Sequence, residues 1–194
     1  MTPRIAPLMP PYDADVRVAL HKWMPPGSGE PLILFRTLGR HSQLSERMRP
    51  LGAALLSRGI LPARTRELLI LRTCARCRAE YEWGVHVTAF AAAVGVDEWV
   101  VERTARCPPA EVASSDLPDD VLLRLVDELH DGAAVADSTW SLLAARFEES
   151  ALLEMLAIVG FYHLISFVAN GARIELEPWA ARFPTKDGPA LSGI

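Results

Sequence analysis

The stretch RELLILRTCARCRAEYEWGVHV, residues 66–87, decides how this chain is read. Pro62 stands where a first helical turn would open, and the run from there through Cys77 contains no internal breaker, which predicts a helix. A second helical stretch is expected over 79–94, ended by Gly95. Within these two segments fall two carboxylates that look buried, Glu67 and Glu82, two cysteines, Cys74 and Cys77, and the aromatic pair Tyr81 and Trp83. The rest of the chain reads mostly as amphipathic helix, so chemistry is expected here.

Working outward, Asp13 caps a short helix to about Trp23, stopped by Pro25, Pro26 and Gly27. Helices are expected over 32–40 and 42–57, the latter interrupted or restarted at Pro50 and ended by Gly59. Asp97 caps a helix to about Arg106, and residues 110–116 read as a loop. A periodic apolar pattern (Val121, Leu122, Leu125, Val126, Leu129) marks the next helix, closed by Gly132. Asp137 and Ser138 cap 139–147, and a long apolar helix covers 148–170. No strand-period alternation and no glycine-rich phosphate loop appear, so the fold class is all-α. The expected organisation is an N-terminal arm and short helix over 1–31, a helical domain over 32–178 and an irregular tail over 179–194.

Half of the 194 residues are hydrophobic and 23% are charged, enough to build a core. A net charge of −4 without a basic run argues against nucleic acid as a partner. Three cysteines is an odd count in a chain that needs no staples, which points to a reducing, cytoplasmic setting. The N-terminus has no apolar core of signal-peptide length. Residues 151–169 are long enough to span a bilayer, but Glu154 and His163 would be costly there, so a protein interior is expected and no membrane.

Glu82 and His86, at i and i+4, lie about 40° apart on one helix face and can move a proton near neutral pH. On one continuous helix Glu67 would project about 60° from Glu82, with Cys74 and Cys77 about 120° and 180° from His86. The sulfurs would then share no site with the pair unless the helix breaks. The plain alternative is a solvated Glu–His pair of no consequence. Cys74-x-x-Cys77 invites a thiol redox reading, but redox pairs sit at helix N-termini and this one lies far along a helix, although Arg72, Arg76 and Arg78 favour a thiolate. Two carboxylates and a histidine can hold a metal, yet HExxH is absent and further ligands are needed, so no metal and no cofactor are assigned. His163, Ser166 and Asn170 form a polar stripe at i, i+3, i+7, either a pocket wall or a helix–helix contact.

RELLILRT (66–73), AEYEWGVH (79–86) and GFYHLISFVANGARIELEP (160–178) together resemble the carboxymuconolactone decarboxylase family, within the alkyl hydroperoxidase D-like superfamily. The resemblance implies a helical bundle that assembles as homotrimers or hexamers, with sites near subunit interfaces and a turn near residues 77–79. With Glu67 and His86 aligned, Ala79 and Glu82 stand where the peroxidase branch has its cysteines, and Cys74 and Cys77 fall five residues early. The chain thus resembles a branch whose site is cysteine-free. By that resemblance His86 is the proton donor, Glu82 its partner or relay and Glu67 its orienting group. Arg72 would hold a substrate carboxylate unless it pairs with Glu67 or Glu80, Tyr81 and Trp83 would supply an apolar wall, and Phe161, Tyr162 and His163 would close it.

The first reading is therefore a cofactor-free lyase, decarboxylase-like, acting on a small unsaturated carboxylated or lactone-like molecule. A second is a thiol peroxidase or disulfide reductase using Cys74 and Cys77. A third is a non-catalytic oligomeric helical protein, because a scaffold does not fix a function.

Overall fold

The computed structural model describes residues 2–184, and the described residues contain helices and no strand. In order these are α1 (Ala14–His21), α2 (Ile33–Leu38), α3 (Ser42–Ser57), α4 (Ala63–Arg76), α5 (Glu80–His86), a π-turn (Val87–Ala91) running into a 3₁₀ turn (Ala92–Val94), α6 (Glu98–Arg106), α7 (Pro109–Ala113), α8 (Pro118–Gly132), α9 (Asp137–Ala144) and α10 (Glu149–Ala172). Short α7 lies where a loop was expected; Pro109 in its first turn fits the helix, since the missing N–H is unpaired there anyway.

Central α4 is packed against α5, α6, α8 and α10. A helix surrounded in this way buries its middle on every side, and Leu68, Leu69, Ile70, Leu71 and Cys74 are fully buried. Its buried Thr73 and Arg72 side chains are matched. Thr73 Oγ1 donates to the Leu69 carbonyl. Arg72 sends a two-pronged fork to Asp127 of α8, at 2.8 and 2.7 Å, and its Nη1 donates to the carbonyls of Thr104 and Cys107. One guanidinium thereby ties α4, α6 and α8 together.

The single helix assumed in the projection does not exist. Cys77 caps α4, Arg78 takes a left-handed φ of 53°, and the Ala79 N–H closes back on the Cys74 carbonyl at 2.8 Å. This six-to-one bond ends the helix without a glycine. The turn implied by the resemblance is therefore present, and the angles computed across it are void. The stretch over 79–94 also changes winding twice, from α to π to 3₁₀, before Gly95 ends it at φ 73°.

Apolar α10 runs along α3, α4, α5 and α9. It is long and apolar enough to cross a membrane, and half of that window is buried inside the protein. Glu154, the charge that argued against a bilayer, has a local partner: its carboxylate accepts the Ile60 and Leu61 N–H groups at 2.8 and 3.3 Å, between α3 and α4. At the other end the N-terminal arm lies on the body, Arg4 N–H donating to the Ala172 carbonyl and Arg40 Nε to Ala6.

Residues 179–184 are irregular but fastened rather than loose. Ala181 N–H donates to Thr88 Oγ1 and Phe183 N–H to Glu80 Oε1, both at 2.9 Å, and the Phe183 ring lies 5.0 Å from Trp83. The remainder of the expected tail lies outside the described residues. The segment crosses α5 at Gly84, where an added Cβ would sit 2.1 Å from the Ala181 carbonyl oxygen. Because backbone is what would be struck, Gly84→Ala is expected to cost about 1–3 kcal/mol, read as a lower urea midpoint, or to release the segment.

Candidate active site

Three helices converge on one imidazole. His86 comes from the last turn of α5, Glu82 from one turn earlier, Glu67 from α4 across the break, and Tyr162 from α10. His86 Nδ1 lies 2.8 Å from Glu67 Oε1, and Nε2 lies 3.1 Å from the Tyr162 hydroxyl and 3.6 Å from Glu82 Oε1. The histidine is 2% exposed, Glu67 2%, Glu82 7% and Tyr162 2%, which disposes of the solvated-pair alternative. The i,i+4 spacing produced the Glu82–His86 part of this arrangement. Glu67 joined it because the chain turns back at Arg78.

Burial by itself works against a charged imidazole here, but the charge and hydrogen bond of Glu67, followed by those of Glu82, more than offset it. His86 is raised from 6.5 to about 10. At neutral pH the ring is thus an imidazolium, with Nδ1–H donating to Glu67 and Nε2–H facing the Tyr162 oxygen and Glu82. Burial first, then Glu82 and Glu67, push the Tyr162 phenol well above its usual range, so this hydroxyl keeps its proton. The group is a stored proton held between two carboxylates.

Phe90, on the π-turn one turn past His86, lays its ring 5.0 Å from the imidazole and is 43% exposed. π-turns recur at functional sites, and this one sets the partly exposed Phe90 ring against the buried imidazole. Phe90 was not singled out in the sequence, although its i+4 spacing from His86 carried the signal. Arg66 was also passed over. Its Nε is buried without a hydrogen-bond partner, and its charge is felt at the Tyr162 hydroxyl.

Other expected site residues lie elsewhere. Arg72 is not available to a substrate, because Asp127 and two carbonyls occupy its donors, and it pairs with neither Glu67 nor Glu80. Tyr81 turns its hydroxyl away, donating to Glu177 at 2.7 Å and accepting from the Leu34 N–H at 3.0 Å. Trp83 is a fully buried core residue, its Nε1 directed at Thr104 Oγ1. His163 faces His130 instead of His86. Phe161 touches Tyr162 edge-on. Among the chain's cavities, one lies beside α1 and α3 and one beside the π-turn at Val87, Ala91 and Val101; neither is lined by Glu67, Glu82 or His86.

The cysteines are poorly placed for redox work. Cys74 is fully buried, and burial followed by the charge of Glu82 pushes its thiol well above the normal range; burial also raises Cys77. Both are free.

Residues 42–106, which hold Glu67, Glu82 and His86, match the carboxymuconolactone decarboxylase family. No curated protein matches the chain in sequence. Among solved structures, the alkylhydroperoxidase AhpD core of a peroxidase-related protein from Ralstonia eutropha JMP134 is 18% identical with a TM-score of 0.71, over 90% of this chain and 93% of that one. A peroxidase-related protein from Silicibacter sp. TM1040 is 14% identical with a TM-score of 0.75, over 95% and 99%. A cysteine-to-alanine variant of the debrominase Bmp8, in complex with 2,3,4-tribromopyrrole, is 16% identical with a TM-score of 0.69, over 92% and 94%. At such identities these likenesses establish the fold, which is that of the AhpD-like helical proteins. Within the matched segment this chain carries Glu82 and His86 on α5, with Cys74 and Cys77 before the turn.

Proposed function

We propose that the chain is a cofactor-free acid–base enzyme that decarboxylates a small unsaturated carboxylated or lactone-like molecule and protonates the resulting carbanion. One observation carries this reading: a fully buried imidazole set between two carboxylates, with Glu67 2.8 Å from Nδ1 and Glu82 3.6 Å from Nε2. In the reaction the bond between carbon and the carboxylate breaks, CO2 leaves, and the electron pair passes into the conjugated carbonyl as a dienolate. The His86 Nε2 proton then moves to carbon. The neutral ring recovers a proton from solvent, with the Tyr162 hydroxyl and Glu82 beside Nε2 to relay it. Glu67 holds the ring by Nδ1 throughout, as a positioning residue. A positioned acid of this kind contributes about 10²–10⁴-fold to rate.

Arg66 takes the part earlier given to Arg72, as the cation for the substrate carboxylate, because its Nε is unpartnered and it lies within electrostatic reach of Tyr162. Phe90 swings aside to admit substrate. Outward-facing Leu153, Leu164 and Phe167 on α10 support a homo-oligomer, a trimer or hexamer, and the reading keeps the protein in the cytoplasm.

The thiol reading requires both cysteines. A Cys74→Ala variant is therefore expected to retain turnover within about two-fold, since the lost sulfur supplies only a small packing term. The measurement is CO2 release across a panel of small lactone carboxylates and β-keto or vinylogous acids. A variant that stays folded by circular dichroism but loses activity transfers the chemistry to the thiols.

A further inference from the structure

Away from His86, three donors from three distant parts of the chain meet at one point. Cys77 caps α4, His130 lies in the last turn of α8, and His163 lies midway along α10. Cys77 Sγ is 3.9 Å from His130 Nδ1, His130 Nδ1 is 2.9 Å from His163 Nε2, and the three atoms all lie within 4.8 Å of one another. We propose that Cys77, His130 and His163 form a binding site for a single Zn²⁺-like transition-metal ion, joining α4, α8 and α10.

The donor set is the first argument. One sulfur and two imidazole nitrogens, with no carboxylate among them, suit zinc and its neighbours rather than magnesium or calcium. Zinc bonds of about 2.0–2.1 Å to nitrogen and about 2.3 Å to sulfur place donors roughly 3.3–3.6 Å apart around a tetrahedron. The observed separations bracket that range, so small side-chain rotations bring the donors into place. Three protein donors fill three corners, and the fourth falls to water or an exogenous ligand.

Orientation is the second argument. His163 Nδ1 lies 2.8 Å from the Val159 carbonyl one turn earlier, which fixes the proton on Nδ1 and turns the Nε2 lone pair toward the cluster. Metal-bound histidines are held in this way, by a carbonyl on the far nitrogen. Asn170 Nδ2 donates to the Cys77 carbonyl at 2.8 Å and so fixes the cysteine backbone. The fully buried Ser166 hydroxyl has no hydrogen-bond partner of good geometry and lies close to the Cys74 and Cys77 sulfurs. The polar stripe of His163, Ser166 and Asn170 thus converges on Cys77. The nearby Arg76 charge is matched by Asp127 and Asp131, at 2.9 and 2.6 Å. A His130–His163 hydrogen bond alone would account for two nitrogens but not for the sulfur, the serine or the asparagine.

Binding replaces the Cys77 S–H proton with the metal, releasing one proton per ion, and closes loops between residues 77, 130 and 163. The site is independent of the acid–base reading. The test uses the tag-free chain, reduced and stripped with a chelator, then titrated with Co²⁺ and challenged with Zn²⁺. Expected are one Co²⁺ per chain, a thiolate-to-cobalt charge-transfer band in the near ultraviolet that Zn²⁺ abolishes, and a higher Tm with Zn²⁺. Cys77→Ser should lose the band, His130→Gln and His163→Gln should each weaken affinity at least about 100-fold, and Cys74→Ala should keep the band. The proposal is overturned if excess Co²⁺ gives no thiolate band, or if the band survives Cys77→Ser in a folded protein.

Discussion

Replacing His86 with Gln is expected to lower turnover by about 10²–10⁴-fold while leaving the helical circular dichroism signal in place. The amide fills similar space but cannot carry a transferable proton. The pH dependence supplies an independent reading. His86 is raised from 6.5 to about 10 in the folded chain, so its charge favours the folded state. That contribution is complete below about pH 6.5, where the ring is protonated folded or unfolded, and it is lost as pH rises through about 10. Urea unfolding should therefore show stability declining between about pH 7 and pH 10, with a shallower decline in His86→Gln. The wild-type rate should hold through neutral pH and fall on the alkaline side, because the acid is the protonated ring. Glu67→Gln removes the foremost of the charges holding that proton, so the alkaline limb should move to lower pH. A His86→Gln enzyme that turns over at the wild-type rate would remove the imidazole from the mechanism, and an unmoved limb in Glu67→Gln would remove its positioning by Glu67.

The second large effect concerns stability. Arg72→Met is expected to destabilise the chain by about 3–5 kcal/mol, the usual cost of breaking a buried ion pair from one side. The carboxylate of Asp127 is left with Arg76 alone, and the Thr104 and Cys107 carbonyls lose their donor. Urea titration of both proteins at one pH measures the loss. The double variant Arg72→Met/Asp127→Leu should recover part of it, since no unpaired charge then remains inside. Below its own unfolding midpoint Arg72→Met should keep its KM. A KM raised many-fold with stability intact would return Arg72 to the substrate, against the geometry described above.

Recognising Glu67 and Glu82 as partners of His86 required two different kinds of information. Glu82 sits one turn before His86 on α5, and regular helix geometry makes such a pair meet wherever the helix goes. Glu67 lies 19 residues before His86, and its place depends on the left-handed residue Arg78. An arginine at that φ has no local sequence signal, because glycine or asparagine is what usually marks the position. The resemblance suggested the turn; hydrophobic periodicity did not. Arg72 illustrates the opposite failure. A buried cation on a helix is read with equal ease as a ligand for substrate or as a partner for an acid, and Asp127, 55 residues away, settles which.

By itself the amino-acid sequence determined the all-helical class, most helix limits, the apolar α4 and α10, and the one-turn pairing of Glu82 with His86. These follow from interactions within a few residues, whose geometry the helix repeat fixes in advance. Only the tertiary structure decided that Glu67 and Tyr162 grip the two imidazole nitrogens, that Arg72 is spent on Asp127, and that Cys77 turns toward His130 and His163. Those pairings join segments dozens of residues apart, where the relative rotation of packed helices, and no local periodicity, selects which side chains face each other.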